Sequence, residues 1–243
     1  MLLCGIFSSG IYVSLSSIKQ KYDYTDVIIF YLFLYIGAII GSYLLYILIN
    51  YKNLIILFNN IDKFNNILSV LRYIFGGSIF YGGLLGGIFT GYILIKKNIV
   101  YEKYVDIVAA SIPLFHFFGR IGCFLGGCCF GISCKFGFLY TNNPIIEANG
   151  ITRFPVPLLE AAFNIGLFFL LNHLLNKEKY KNRLLYIYLL IYAIGRFFIE
   201  FLRGDAYRGM LFIFSTSQII SILIIISVLL KVFLFNKNKE KTV

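Results

Sequence analysis

Arg196, Glu200 and Arg203 recur at i, i+4 and i+7 in an apolar stretch, a spacing that sets all three on one helical face. An ionisable group at membrane depth costs roughly 2.5–3.5 kcal/mol on insertion scales, so such groups mark partners or a ligand. Glu160 follows Pro155 and Pro157 at the start of a second apolar run, and Arg120 stands between Gly119 and Gly122 near the end of a third. Glu200 can neutralise one arginine. Three arginines against two glutamates then leave a cation over. The guanidinium is a planar, permanently charged fork that grips phosphate or carboxylate through parallel hydrogen bonds. The chemistry expected is therefore recognition of an anionic group within a membrane. The plainer alternatives are structural ion pairs between helices and, for Arg120, a snorkelling helix-end residue.

His116 precedes Arg120 by one helical turn. It is a candidate general base, although a lone histidine commonly serves packing or hydrogen bonding instead. Ser217 and Gln218 open the polar edge of the last apolar run, where they could bind a head group or bridge helices. Four of the five cysteines, Cys123, Cys128, Cys129 and Cys134, cluster around an adjacent pair, and Cys4 lies apart. Their spacing matches neither a zinc ribbon nor a thioredoxin-like motif, so a structural role is expected and no metal is assigned. A disulfide, a redox centre or a metal site are the alternatives.

Composition specifies what must position these groups. The 243 residues are 59% hydrophobic and 14% charged, and mean hydropathy is +0.83. Soluble domains carry about 25% charged residues. The fold expected is an all-α polytopic membrane protein of about seven transmembrane helices, forming one integral membrane domain over residues 1–243. A span needs about 20 apolar residues. Candidates are Leu2 to Ile18, Asp26 to Leu48, Ile74 to Ile95, Val105 to Phe124, Pro157 to Leu175, Leu184 to Leu202 and Leu211 to Phe235. Leu54 to Tyr73 reads as an interfacial segment. Phe130 to Val156 carries the Gly, Asn and Pro signals of a loop. Glycines four apart, Gly37 with Gly41, Gly82 with Gly86, and Gly83 with Gly87 and Gly91, predict close helix–helix approach.

The net charge of +11 is distributed over short loops and the tail rather than gathered in a patch. That argues against nucleic acid and for membrane orientation. Thirteen of the 22 basic residues fall on the side shared by residues 19–21, 96–103, 177–183 and the tail. This side is expected to be cytoplasmic, with a short polar tail at about 236–243 there. The loops at about 125–156 and 203–210 are then outward-facing. Nothing basic precedes the first apolar run, so no cleaved signal peptide is expected.

Taken together, the blocks resemble the bacterial prolipoprotein diacylglyceryl transferases. They are Gly119-Arg120-Ile121-Gly122 with Phe124 and Gly127, Tyr81-Gly82-Gly83-Leu84-Leu85-Gly86, Pro155 to Glu160, Arg196-Phe197-Phe198-Ile199-Glu200-Phe201-Leu202-Arg203, and Ser217-Gln218-Ile219-Ile220-Ser221. Departures occur at Tyr81, where the family has histidine, and at Cys123, where it has asparagine. They occur also at Gly126-Gly127-Cys128 for Asn-Gly-Glu, at Cys4 for tyrosine and at Tyr43 for arginine. The resemblance implies a seven-helix enzyme of the bacterial cytoplasmic membrane, without a cofactor and with an outward-facing site. It would move a diacylglyceryl group from phosphatidylglycerol to the thiol of the lipobox cysteine in prolipoprotein signal peptides. Arg120 and Arg203 would then meet the departing phosphate. Arg196, Glu200, Glu160, Gly82, Gly83 and Gln218 would help bind the donor, and Tyr81 or His116 would stand where a base is needed. The departures keep two other functions in view: a relative that only binds anionic lipid or runs altered chemistry, and a membrane thiol-redox or metal protein.

Overall fold

The computed structural model describes residues 1–52, 55, 80–97, 99, 102–143, 145–205, 210–211 and 213–240. Among them are seven α-helices: α1 (Leu2–Lys19), α2 (Tyr24–Ile49), α3 (Phe80–Lys96), α4 (Val105–Leu125), α5 (Val156–Leu175), α6 (Leu184–Ile199) and α7 (Thr216–Glu240). α1, α2, α4, α5 and the run from Leu184 to Leu202 are long and apolar enough to cross a membrane, and Gly82–Lys96 and Thr216–Val232 are shorter apolar helices. The all-α polytopic architecture read from composition is the observed one. The expected interfacial segment Leu54 to Tyr73, apart from Ile55, and the start of the third span at Ile74 lie outside the described residues.

The chain forms two compact units, Ser17–Tyr104 and Met1–Ser16 with Val105–Val243. Within the first, α2 starts at Asp23, whose carboxylate accepts the Thr25 amide at 2.8 Å and so satisfies a donor that the helix leaves open. α2 packs on α3 through the expected glycine ridge. A Cβ on Gly41 would lie 2.3 Å from the Gly82 carbonyl oxygen, and one on Gly86 would lie 2.2 Å from that of Gly37. No side chain fits there, so the two backbones touch directly.

In the second unit α4 packs against α5 and α6, and α6 against α5 and α7. Ala109 and Ala110 of α4 present little side chain, which lets Leu167 and Leu171 of α5 and Leu184 and Tyr188 of α6 close a buried core. Asp106, buried in the first turn of α4, accepts the amides of Asn182 at 2.5 Å and Leu184 at 3.0 Å. A carboxylate from one helix thereby caps the start of another, and its charge complements the positive helix N-terminus.

Two sequence boundaries are corrected. The last helix begins at Thr216 and not at Leu211, because Met210–Leu211 (β2) and Phe214–Ser215 (β3) pair antiparallel first. A reciprocal cap then sets the helix start: Gln218 Oε1 accepts the Ser215 amide at 2.9 Å and the Gln218 amide donates to Ser215 Oγ at 3.2 Å. The region read simply as loop contains a strand, Ser133–Phe138 (β1), and a 3-10 turn at Ile146–Ala148.

Candidate functional site

The charged groups anticipated on separate helices converge. Glu160, buried in the first turns of α5, is the hub. Its Oε2 lies 2.6 Å from Nε of Arg120 on α4, and its Oε1 accepts from Nη1 of Arg196 on α6. Arg196 Nη2 continues the line to Glu200 at 2.6 Å and donates to Ser217 Oγ of α7 at 3.2 Å. The α-helix ends at Ile199, tightens through a 3-10 turn at Glu200–Leu202, and leaves Arg203 extended. Arg203 Nη1 is still 4.0 Å from Glu200. Helices α4, α5, α6 and α7 thus meet on one polar ladder, Arg120–Glu160–Arg196–Glu200–Arg203.

The ladder has a sixth member that the sequence reading did not include. Arg203 Nε donates to Asp205 Oδ1 at 2.8 Å and Nη2 to Oδ2, a bidentate fork between buried groups. Among the described residues the count is therefore three cations to three anions. The surplus cation inferred from Arg120, Arg196 and Arg203 against two glutamates is corrected by Asp205. What remains for a ligand is geometric. Arg196 and Arg203 side chains are 9% and 10% exposed, whereas Arg120 is 19% exposed and makes its ion pair through Nε. A Cβ on the adjacent Gly119 would meet nothing within 4 Å. Gly122 serves packing, because its Cβ would lie 3.0 Å from that of Met1.

His116 Nδ1 shares a 3.2 Å hydrogen bond with the Tyr188 hydroxyl, and its ring centre is 5.3 Å from that of Tyr192. Asn164, one turn after Glu160, is buried and donates to the Glu160 backbone carbonyl at 2.8 Å. Tyr188, Tyr192, Arg196 and Glu200 repeat every four residues. That polar face was legible in the sequence and was read only from Arg196 onward. Gln218 caps α7 through its Oε1 and backbone amide. Gly82 and Gly83 belong to the other unit, where they face α2. The Tyr81 backbone lies in α3, and its side chain is outside the described residues.

A seam of main-chain bonds holds the loops beside the ladder. Gly131 donates to Phe154 O at 3.0 Å, Ile132 to Leu202 O at 3.0 Å, Phe154 to Ile132 O at 2.9 Å and Gly204 to Phe130 O at 3.1 Å. A Cβ on Gly204 would sit 2.5 Å from the Gly131 carbonyl oxygen, so glycine permits the approach. This seam carries Cys128 and Cys129 to the mouth of α4. The thiols of Cys123, Cys128 and Cys129 are free, and their sulfurs lie within 4.8 Å of one another. Cys134 is set apart, donating from Sγ to the Phe136 carbonyl at 2.8 Å. The Cys129 thiol is held well below the ordinary thiol range, first by hydrogen bonding from Cys123 and Cys128 and then by the positive charge of Arg203 and Arg120.

The family model for prolipoprotein diacylglyceryl transferase matches residues 1–234. A phosphatidylglycerol–prolipoprotein diacylglyceryl transferase of Clostridium tetani is 35% identical over 242 residues, 98% of this chain and 91% of that protein. One from Clostridium perfringens is 34% identical over 210 residues, covering 85% of this chain and 76% of the relative. A third, from Clostridioides difficile, is 35% identical over 178 residues, covering 72% and 68%. A match along nearly the whole chain joins the arginine–carboxylate ladder and the apolar helices in one conclusion: this chain belongs to the prolipoprotein diacylglyceryl transferase family.

Proposed function

We propose that the chain transfers a diacylglyceryl group from phosphatidylglycerol to the thiol of a lipobox cysteine in prolipoprotein signal peptides. The carrying observation is the bracing of Arg120. Glu160 fixes it through Nε, and at 19% exposure its side chain is the most accessible of the three ladder arginines. A guanidinium is suited to two oxygens of one phosphate. In the reaction the acceptor sulfur forms a bond to the glycerol carbon that bears the phosphate. The carbon–oxygen bond breaks, and its electron pair departs with glycerol phosphate. Charge grows on the phosphate as it leaves, and a preorganised guanidinium in a water-poor site stabilises it. Arg203, fixed by Asp205, supplies a second positive field, and Arg196 holds Glu160 and Glu200 in line. The thiol proton passes to a base or to water, and His116 and Tyr81 are the candidates from the sequence.

The seat of this reaction is the bacterial cytoplasmic membrane, with the ladder toward the outer face and the lysine-rich ends inside. Nucleic acid has no part in it. The test uses purified protein in phosphatidylglycerol liposomes with a lipobox peptide and labelled diacylglyceryl donor. Label should pass to the cysteine peptide and not to its serine counterpart. Absence of transfer by folded, lipid-bound protein would overturn this function and favour a relative that only binds anionic lipid.

A further inference from the structure

The sulfurs of Cys123, Cys128 and Cys129 converge for a reason visible in the backbone. α4 ends in a Schellman turn. The Cys128 amide donates to the Cys123 carbonyl at 3.1 Å, the Gly127 amide donates to the Phe124 carbonyl at 3.1 Å, and Gly127 is left-handed with φ of 69°. That turn folds Cys128 back onto Cys123, and Cys128 Sγ adds a bond to the same carbonyl at 3.6 Å. Side chains of adjacent residues diverge in both helix and strand. Cys129 rejoins the group because it too is left-handed, with φ of 59°, which is uncommon for a residue with a Cβ. The three sulfurs lie within 4.8 Å of one another, all are partly accessible, and none is in a disulfide.

We propose that Cys123 and Cys129 form a reversible disulfide by exchange with low-molecular-weight disulfides, and that closing this bond strengthens the hold of Arg120 and Arg203 on the donor phosphate. The second half of this statement rests on the transfer function proposed above, and the disulfide itself does not. Geometry selects the pair. Adjacent Cα atoms lie about 3.8 Å apart across a trans peptide, short of the roughly 4.4–6.8 Å that a disulfide spans, so Cys128 and Cys129 do not join each other. Cys128 Sγ is engaged with the Cys123 carbonyl, and Cys134 is turned to the Phe136 carbonyl. Cys123 and Cys129 remain, and side-chain rotation closes sulfurs already within 4.8 Å.

Exchange begins with attack by a thiolate. Cys129 supplies it, because hydrogen bonds from Cys123 and Cys128, and then the charges of Arg203 and Arg120, hold it below the ordinary thiol range. Its sulfur attacks one sulfur of the small disulfide, whose S–S bond breaks, and one small thiolate leaves and takes up a proton. Cys123 then gives up its proton and attacks the Cys129 sulfur of the mixed disulfide, expelling the second small thiolate, which is protonated in turn. Two protein thiols lose two electrons, and one small disulfide becomes two thiols. Excess small thiol reverses the exchange. Arg120 stands three residues before Cys123 on α4, and Arg120 and Arg203 both act on Cys129. The Cys129 thiolate sets a negative charge against these cations, whereas the disulfide is neutral. The ladder is otherwise balanced among the described residues, so the oxidised form offers a phosphate the stronger positive field.

The experiment treats the full chain, purified in neutral-detergent micelles, with glutathione disulfide, then alkylates the remaining thiols and weighs the intact protein. Two of the five cysteines should escape alkylation without carrying an adduct, and dithiothreitol should restore all five. Cys123→Ser should stop at a glutathione adduct on Cys129, whereas Cys128→Ser and Cys134→Ser should still close the bond. In the unmodified protein, oxidation should lower the KM for phosphatidylglycerol by about 3–10-fold. The thiol count and the KM need no variant, so a variant that misfolds does not decide the matter. Five alkylatable thiols in folded, oxidant-treated protein, or loss of two thiols without adduct in folded Cys123→Ser, would overturn the disulfide while leaving the transfer function standing. A KM unchanged or raised by oxidation would overturn its effect on the donor. A disulfide that closes in a protein that transfers lipid in neither state would sink the transfer function and keep the site.

Discussion

Replacing Arg120 and Arg196 separately should divide catalysis from stability, because the two cations hold different numbers of partners. Glu160 keeps its bond to Arg196 when Arg120 is lost, so Arg120→Ala leaves no carboxylate stranded. Its effect should fall on transfer, reduced by ~10²–10³-fold, or about 2.7–4 kcal/mol, the scale of one preorganised charge-stabilising donor. Arg120→Lys keeps the charge but loses the rigid planar fork that pairs with Glu160 through one N–H and holds two phosphate oxygens through others, so transfer should still fall strongly. Arg196→Ala takes a close partner from both Glu160 and Glu200, and Arg203 lies 4.0 Å from Glu200. Removing one side of a buried ion pair costs about 3–5 kcal/mol, so this variant should lose folded protein first. Labelled transfer at saturating peptide and unfolding in mild detergent, run side by side, read the two quantities. Wild-type transfer by Arg120→Ala, or equal loss of stability in both variants, would refute this assignment.

Three further outcomes are expected. Gly86→Ala should destabilise by about 1–3 kcal/mol, because its Cβ would enter the Gly37 carbonyl at 2.2 Å, and thermal unfolding of the purified protein measures it. Gln218→Ala should cost about 1 kcal/mol of stability through loss of the α7 cap yet leave the KM for phosphatidylglycerol unchanged; a raised KM would return Gln218 to donor binding. A reporter fused after Val243 should be active only in its cytoplasmic form, and external activity would reverse the sidedness taken from the lysines.

The helices were legible because about 20 apolar residues in a row leave few alternatives, and Arg196 with Glu200 was legible because i, i+4 is local. Glu160 as the hub was not. Its partners come from α4 and α6, and no spacing within one segment encodes which helices become neighbours. Asp205 was overlooked although it is two residues from Arg203, because the pair forms only once the chain has left the helix and turned extended. The cysteines show the same limit: C-x4-C-C fits no familiar pattern, and the left-handed turn at Gly127 and Cys129, with φ of 69° and 59°, is what gathers three thiols and leaves out Cys134. Gln218 shows a second use that the sequence reading did not include, since its Oε1 and backbone amide also cap the start of α7.

Asp106 gives α4 and α6 a common origin, and depth can be measured from it. Arg120 stands 14 residues along α4 and Arg196 stands 12 residues beyond Leu184 on α6. At 1.5 Å per residue these are about 21 and 18 Å from the pinned ends, and the remaining few ångströms are within reach of one glutamate side chain. α4 measures about 31 Å in all, close to the thickness of the hydrocarbon layer. Arg120 therefore sits about 8 Å short of the helix's far end. On the proposed function, a phospholipid whose phosphate met Arg120 would draw its head group below the surface of its own leaflet and away from bulk water.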